Sequence, residues 1–274
     1  MNPIRLSANQ SKLTATAHVV ALLLAAFVLI PKPAFASQLT SKAAFEFGRL
    51  ELNVLSPDGT HVIGSTRFTV WREDETEEII GETRYLNGES DNEVDHLDVR
   101  GTDSRPRLDS YEHSFYRADG SIAMLDTLDA KTGIASCTSY SKGDAKVRKS
   151  KLDVPGDTFT GASELMLIVG SLRQGVREIK FHAFACVSGP RIFAVETTRP
   201  VRRERWSLYP GDLVRLDMRP DLGALNLLVA PFMPTMDAWF NPNDNWNYVG
   251  GEFDRYFRGP HVLTVRVGPG HDSR

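Results

Sequence analysis

The chain has 274 residues, 32 of them basic and 35 acidic, with 41% hydrophobic content, enough to bury a sizeable core. Taking Arg5, Lys12 and Lys32 away from the 32 basic residues leaves 29 against 35 acidic ones, a net charge near −6 for the part after residue 36. A body that acidic disfavours nucleic acid as a partner held through the overall field.

Residues 1–36 read as a signal peptide. Arg5 and Lys12 precede an apolar run from Val19 to Ile30, and Ala34-Phe35-Ala36 precedes Ser37 as a small-residue cleavage site. The run of about twelve residues falls short of the roughly twenty that span a bilayer, so no stable transmembrane span is expected after cleavage. The expected location is secreted or periplasmic. Residues 37–274 are expected to form a single β-rich domain.

From residue 43 onward, alternation punctuated by turns dominates, as in half-buried antiparallel strands. Phe45, Phe47, Leu50, Leu52 and Val54 lead into Ser56-Pro57-Asp58-Gly59, in which proline presets φ and glycine supplies φ > 0. The return strand carries Val62, Ile63, Phe68, Val70 and Trp71, with an irregularity expected near Gly64. A third strand through Ile79, Ile80, Thr83 and Tyr85 ends at the turn dipeptide Asn87-Gly88.

The acidic run Asp91-Asn92-Glu93-Val94-Asp95-His96-Leu97-Asp98 reads as a solvated loop or edge strand. Its alternating carboxylates could supply hard oxygen ligands, but His96 stands where an EF-hand loop needs glycine and Thr102 where it needs a bidentate Glu. Leu108 to Arg117 resumes strand character, with Tyr111, His113 and Phe115 sharing a face. Further hairpins turn at Asp129 to Gly133 and Ser141 to Asp144, and the cations of Lys146 to Lys151 suit a solvated edge.

Ser163 to Leu172 is apolar at helical spacing, with Thr160 or Ser163 as N-cap and Gly175 as the stop, and is expected to be the main helix. Strands resume at Glu178 to Val187, Arg191 to Arg199 and Leu213 to Met218, and Val262 to Val267 closes the domain. Cys137 and Cys186 both fall in expected strands. Paired, they would close a loop of about fifty residues and contribute roughly 4 kcal/mol. The alternative is two buried thiols.

Catalytic chemistry has little foothold in this sequence. Gly170-Ser171 lacks the strand-to-helix elbow of a serine nucleophile. After residue 36 the histidines, at 61, 96, 113, 182, 261 and 271, stand singly, so no zinc motif forms. No catalytic residue, metal or cofactor is assigned. A hydrolase reading would require Asp91, Glu93 and Asp95 to converge in a cleft with a histidine.

Binding has more support. Arg199, Arg203 and Arg205 share one face of an extended strip and could meet an anionic headgroup or phosphate. Leu225 to Phe240 is apolar and broken by Pro231 and Pro234; Pro234 suits the first turn of a short helix over Thr235 to Trp239, a plug for one end of a curved sheet. Leu228, Phe232, Met233, Met236, Trp239 and Phe240 are the candidate lining of an apolar site, with core packing as the alternative. The partner so implied is a lipid or amphipathic small molecule, and the function a non-enzymatic binding protein. A cell-envelope structural or protein-interaction module using exposed strand edges is the alternative.

The order of Val154-Pro155-Gly156-Asp157 before a mid-chain helix, then Ala230-Pro231-Phe232-Met233-Pro234, Ala238-Trp239-Phe240 and Arg258-Gly259-Pro260 before the last strand resembles uncharacterised exported bacterial proteins of the DUF3108-like group. The resemblance implies a strongly curved antiparallel sheet or partly open β-barrel with one central helix, and supplies no catalytic residue.

Overall fold

The computed structural model describes residues 49–99, 106–141, 144–176, 178–197, 204–221, 236–255 and 260–267. The chain divides into two compact units, Met1–Ala36 and Ser37–Arg274, and every described residue lies in the second.

The alternating segments become strands β1 (Arg49–Leu55), β2 (Val62–Glu73), β3 (Thr76–Tyr85), β4 (Ser90–Asp98), β5 (Arg107–Tyr116), β6 (Ile122–Asp129), β7 (Ile134–Ser141) and β8 (Asp144–Lys151). A short β9 (Thr158–Phe159) precedes helix α1 (Gly161–Arg173). After the helix come β10 (Lys180–Cys186), β11 (Pro190–Thr197), β12 (Glu204–Arg205), β13 (Asp212–Pro220), β14 (Met236–Asn241), β15 (Asn247–Asp254) and β16 (His261–Arg266). They form one sheet in the order β8-β7-β6-β5-β4-β3-β2-β1-β16-β15-β14-β13-β11-β10-β9, with β12 on β13. Only the β9–β10 pair is parallel among the described strands.

The expected turns are realised at Gly59 and Gly88, which take φ of 70° and 90°. The irregularity near Gly64 appears as a register shift at Val54/Leu55 opposite Gly64 and Val62. α1 starts after Thr160, whose backbone N–H donates to the Ser163 hydroxyl at 3.0 Å while its own hydroxyl turns to the Phe184 carbonyl, and stops before Gly175, whose φ of 75° suits a helix end.

The curved sheet holds α1 against one face, on β3, β4, β9 and β15. Met166, Leu167, Ile168, Val169 and Leu172 are buried there. One side of the helix packs with Leu50, Leu52, Phe181, Leu216 and Phe240, the other with Ile79, Leu97, Leu108, Leu128 and Phe184. The apolar crevice left between helix and sheet, lined by Leu50, Phe68, Ile79, Leu165, Met166 and Tyr248, measures about 20 Å³. That is room for no more than a water-sized probe.

Cys137 and Cys186 are joined by a disulfide, with Cα atoms 5.8 Å apart. The bond ties β7, next to one edge of the sheet, to β10 near the other. Among the described residues, no helix is long and apolar enough to cross a membrane.

Two expectations are corrected. Met236 to Trp239 belong to strand β14, paired with β13 and β15, and are not a helical plug. Pro234 can open a helix, but the aromatic side chains that follow bury more surface on a sheet, where Trp239 stacks on Trp206 at 4.3 Å. The acidic run is neither loop nor edge: it is β4, an interior strand between β3 and β5, and Asp95 on it is fully buried.

Candidate functional site

Successive strands place one residue each in a row across the helix-facing side. Phe68 stands opposite Gly81, Gly81 opposite Glu93, Glu93 opposite His113, His113 opposite Asp126, and Asp126 opposite Cys137. The neighbouring row brings Ile79, Asp95, Tyr111, Leu128 and Ala135 onto the same face. Period-two alternation on β4 therefore turns Asp91, Glu93 and Asp95 inward together.

Those carboxylates meet the start of α1. The Ala162 N–H donates to Glu93 Oε1 at 2.5 Å, and the Ser163 N–H donates to Asp95 Oδ2 at 3.2 Å. Both belong to the first turn, where N–H groups lack the usual partner four residues back, although the Ser163 N–H is shared with the Thr160 carbonyl at 3.1 Å; the helix dipole favours anions there. Gly161 makes the approach possible: its φ is 51°, and a Cβ at this position would stand 1.8 Å from Glu93 Oε1.

Burial works against the same charges. Desolvation, with Glu93 beside it, raises the Asp95 carboxyl well above its ordinary range. Glu164, in the first turn of α1, is pushed up to about 8 by burial and by Glu93. Asp126 is pushed up to about 6 by burial, with His113 pulling it down. Burial opposes protonation of His113, but Asp91, 3.8 Å away, and Glu93 outweigh it and raise its pKa. At neutral pH the cluster is thus partly protonated, which is how a protein holds several carboxyls in a dry space.

Arg255, directly after β15, closes one flank. It donates to Glu89 at 2.8 Å and Asp91 at 3.3 Å, with its guanidinium 3.5 Å from the Tyr85 ring centroid and 4.4 Å from that of Phe115. The carboxylates and histidine that a hydrolase would need do converge, but between a helix and the sheet beneath it. Two of the carboxylates serve helix N–H groups.

The residues marked as candidate binding groups fall elsewhere. Leu228, Phe232, Met233, Arg199 and Arg203 lie outside the described residues. Phe240 is fully buried in the main core, and Trp239 is buried against Trp206, its indole N–H donating to Glu204 at 3.1 Å. Met236 is half-buried at the border of the same core. Arg205 is 90% exposed, with its Nε 3.8 Å from Asp212.

The face away from the helix has an open hollow of about 330 Å³ lined by His96, Ser110, Glu112, Thr127, Asp129 and Ile134. β8 ends the sheet, is exposed along its whole length, and pairs with β7 through eight consecutive residues without a register shift. Lys146, Arg148, Lys149 and Lys151 line it.

Sequence reasoning identified the basic edge and grouped Asp91, Glu93 and Asp95, but it missed Glu164, Asp126 and Arg255 as their neighbours. Glu164 alone left a signal, an acid inside an otherwise apolar helical turn.

No family model matches the sequence, so membership of the DUF3108-like group is not shown, and no curated protein matches it. Among solved structures, the chain is similar to a β-barrel-like protein of the domain of unknown function DUF1849 from Brucella abortus. The identity is 8% and the TM-score 0.38, over 80% of this chain and 94% of that one. A likeness that distant carries no argument about activity.

Proposed function

We propose that the protein is an exported, non-enzymatic binding module of the cell envelope that engages an extended acidic polypeptide segment along β8. The carrying observation is the edge itself: eight residues in unbroken register, exposed on both faces, without proline or bulge, bearing four cations on a chain of net charge −3. An unpaired strand edge presents a row of backbone donors and acceptors that an incoming strand can complete. Lysine on an edge also discourages pairing with other cationic or neutral strands, so an acidic partner is the one this edge admits.

A carrier site for an apolar or amphipathic ligand on the helix-facing side finds less support. It would need α1 to leave its place, since a lipid does not fit about 20 Å³. Export rests on the charge and apolar pattern of residues 1–36, and the disulfide is consistent with an oxidising compartment.

The test is hydrogen exchange of the protein with an acidic, strand-forming peptide, set against the same composition interrupted by prolines. Slowed exchange of the β8 amides with the first peptide only, abolished in a K146E/R148E/K149E variant, is the expected result. Equal protection by both peptides would reduce the edge to a plain cationic surface and overturn strand addition.

A further inference from the structure

Beside the staple between β7 and β10 sits a buried carboxylate with one oxygen unpartnered among the described residues. Asp126 is 8% exposed, and its Oδ1 is buried without a hydrogen-bond partner among the described residues. An unpaired buried oxygen costs free energy that folding normally avoids. The carboxylate lies beside the disulfide: one carboxylate oxygen of Asp126 and the Sγ atoms of Cys137 and Cys186 all lie within 4.8 Å of one another. The grouping follows from register, since Asp126 stands opposite Cys137 on the inner face and Cys186 reaches across from β10.

We propose that Asp126, Cys137 and Cys186 form a latent site for a thiophilic divalent cation, zinc above all, that becomes available when the disulfide is reduced. Reduction breaks the S–S bond and adds two electrons and two protons, supplied by a dithiol that is itself oxidised to a disulfide. Zn²⁺ then binds both sulfurs as thiolates, releasing the two thiol protons, and the carboxyl proton as well where Asp126 carries one. Tetrahedral Zn–S bonds of about 2.3 Å hold two sulfurs roughly 3.8 Å apart. With Cα atoms 5.8 Å apart, rotation of the two side chains achieves that separation without moving the strands. Asp126 supplies the third ligand, and the fourth position is left for water. Two thiolates select zinc over calcium or magnesium, which take oxygen ligands.

The consequence is a seam with two alternative ties. In the oxidised protein the disulfide holds β7 to β10; in the reduced protein the cation bridges the same two strands.

The experiment uses the mature protein reduced with a phosphine, which leaves no competing thiol, and titrates Co²⁺ as a spectroscopic stand-in for Zn²⁺. The expected result is one equivalent of cobalt with sulfur-to-metal charge-transfer bands and the visible bands of a tetrahedral ion, bleached by Zn²⁺. The disulfide form should give none of these. Asp126→Asn should weaken Zn²⁺ binding about tenfold or more while keeping the fold, and Cys186→Ser should remove the charge-transfer bands. Absence of those bands in the reduced protein overturns the proposal. So does an affinity unchanged in Asp126→Asn, which would mean a bare dithiol. Circular dichroism guards against unfolding: a reduced protein that loses its native spectrum and does not regain it with Zn²⁺ also refutes the site.

Discussion

Stability should fall as pH rises from 5 to 8.5, and Glu164→Gln should remove much of that fall. Glu164 is buried, and its carboxyl titrates near 8 in place of its ordinary 4.5. Between those values the folded chain binds more protons than the unfolded one, so stability declines with rising pH. The penalty is absent below about 4.5, reaches about 3 kcal/mol at pH 7, and approaches about 5 kcal/mol above pH 8, at 1.36 kcal/mol per tenfold step. Asp95, Asp126 and His113 are also raised, and a raised pKa has the same sign in an acid and in a histidine, so they add to the slope. Urea denaturation at pH 5, 7 and 8.5 measures it. The variant should match the wild type within about 1 kcal/mol at pH 5 and exceed it by a few kcal/mol at pH 8.5, because the amide keeps the shape of the neutral acid. A wild-type stability that is flat across this range, or a variant equally destabilised at every pH, would refute the reasoning.

Other perturbations test the same frame. Replacing both cysteines by serine should cost about 4 kcal/mol from a loop of 49 residues, read as a lower urea midpoint; an unchanged midpoint would show that the seam is held without the bond. Gly161→Ala should cost roughly 1–3 kcal/mol, because φ is 51° and the new methyl would displace Glu93. The same change in a Glu93→Ala background should cost less, and equal costs would rule out the contact. Trp239→Ala should lose about 3–5 kcal/mol and change the fluorescence of Trp206, which is stacked on it with an interplanar angle of 3°. A small loss would mean that the stack contributes little beyond its surroundings.

What could be read from the sequence was local. Alternation gave the strands, and Thr160 with Gly175 bounded the helix, because cap and stop chemistry act within a turn. Cys137 and Cys186 were each placed on strands, but their pairing depends on how far the sheet curls, which no spacing encodes. Local sequence points Trp239 toward a helix because its stacking partner, Trp206, stands far away in the chain. For β4 the composition is that of a solvated segment, and only the register of β3 and β5 on either side, with α1 above, makes it interior.

The acidity of β4 follows from how the helix meets the sheet. The first turn of α1 aims N–H groups that lack a partner four residues back at the inner face, and an apolar strand there would leave the buried Ala162 N–H unsatisfied. Carboxylates from β4 satisfy two of them, through Glu93 and Asp95. That solution introduces negative charge into a dry interface, and the charge is reduced by protonation: Asp95 and Glu164 hold their protons to higher pH. The constellation that resembles a catalytic acid cluster is therefore accounted for as a helix-docking device, with pH-dependent stability as its by-product. If the slope from pH 5 to 8.5 survives removal of Glu164 undiminished, that account must move to Asp95 and Asp126, and Asp126→Asn, already needed to test the metal site, would separate them.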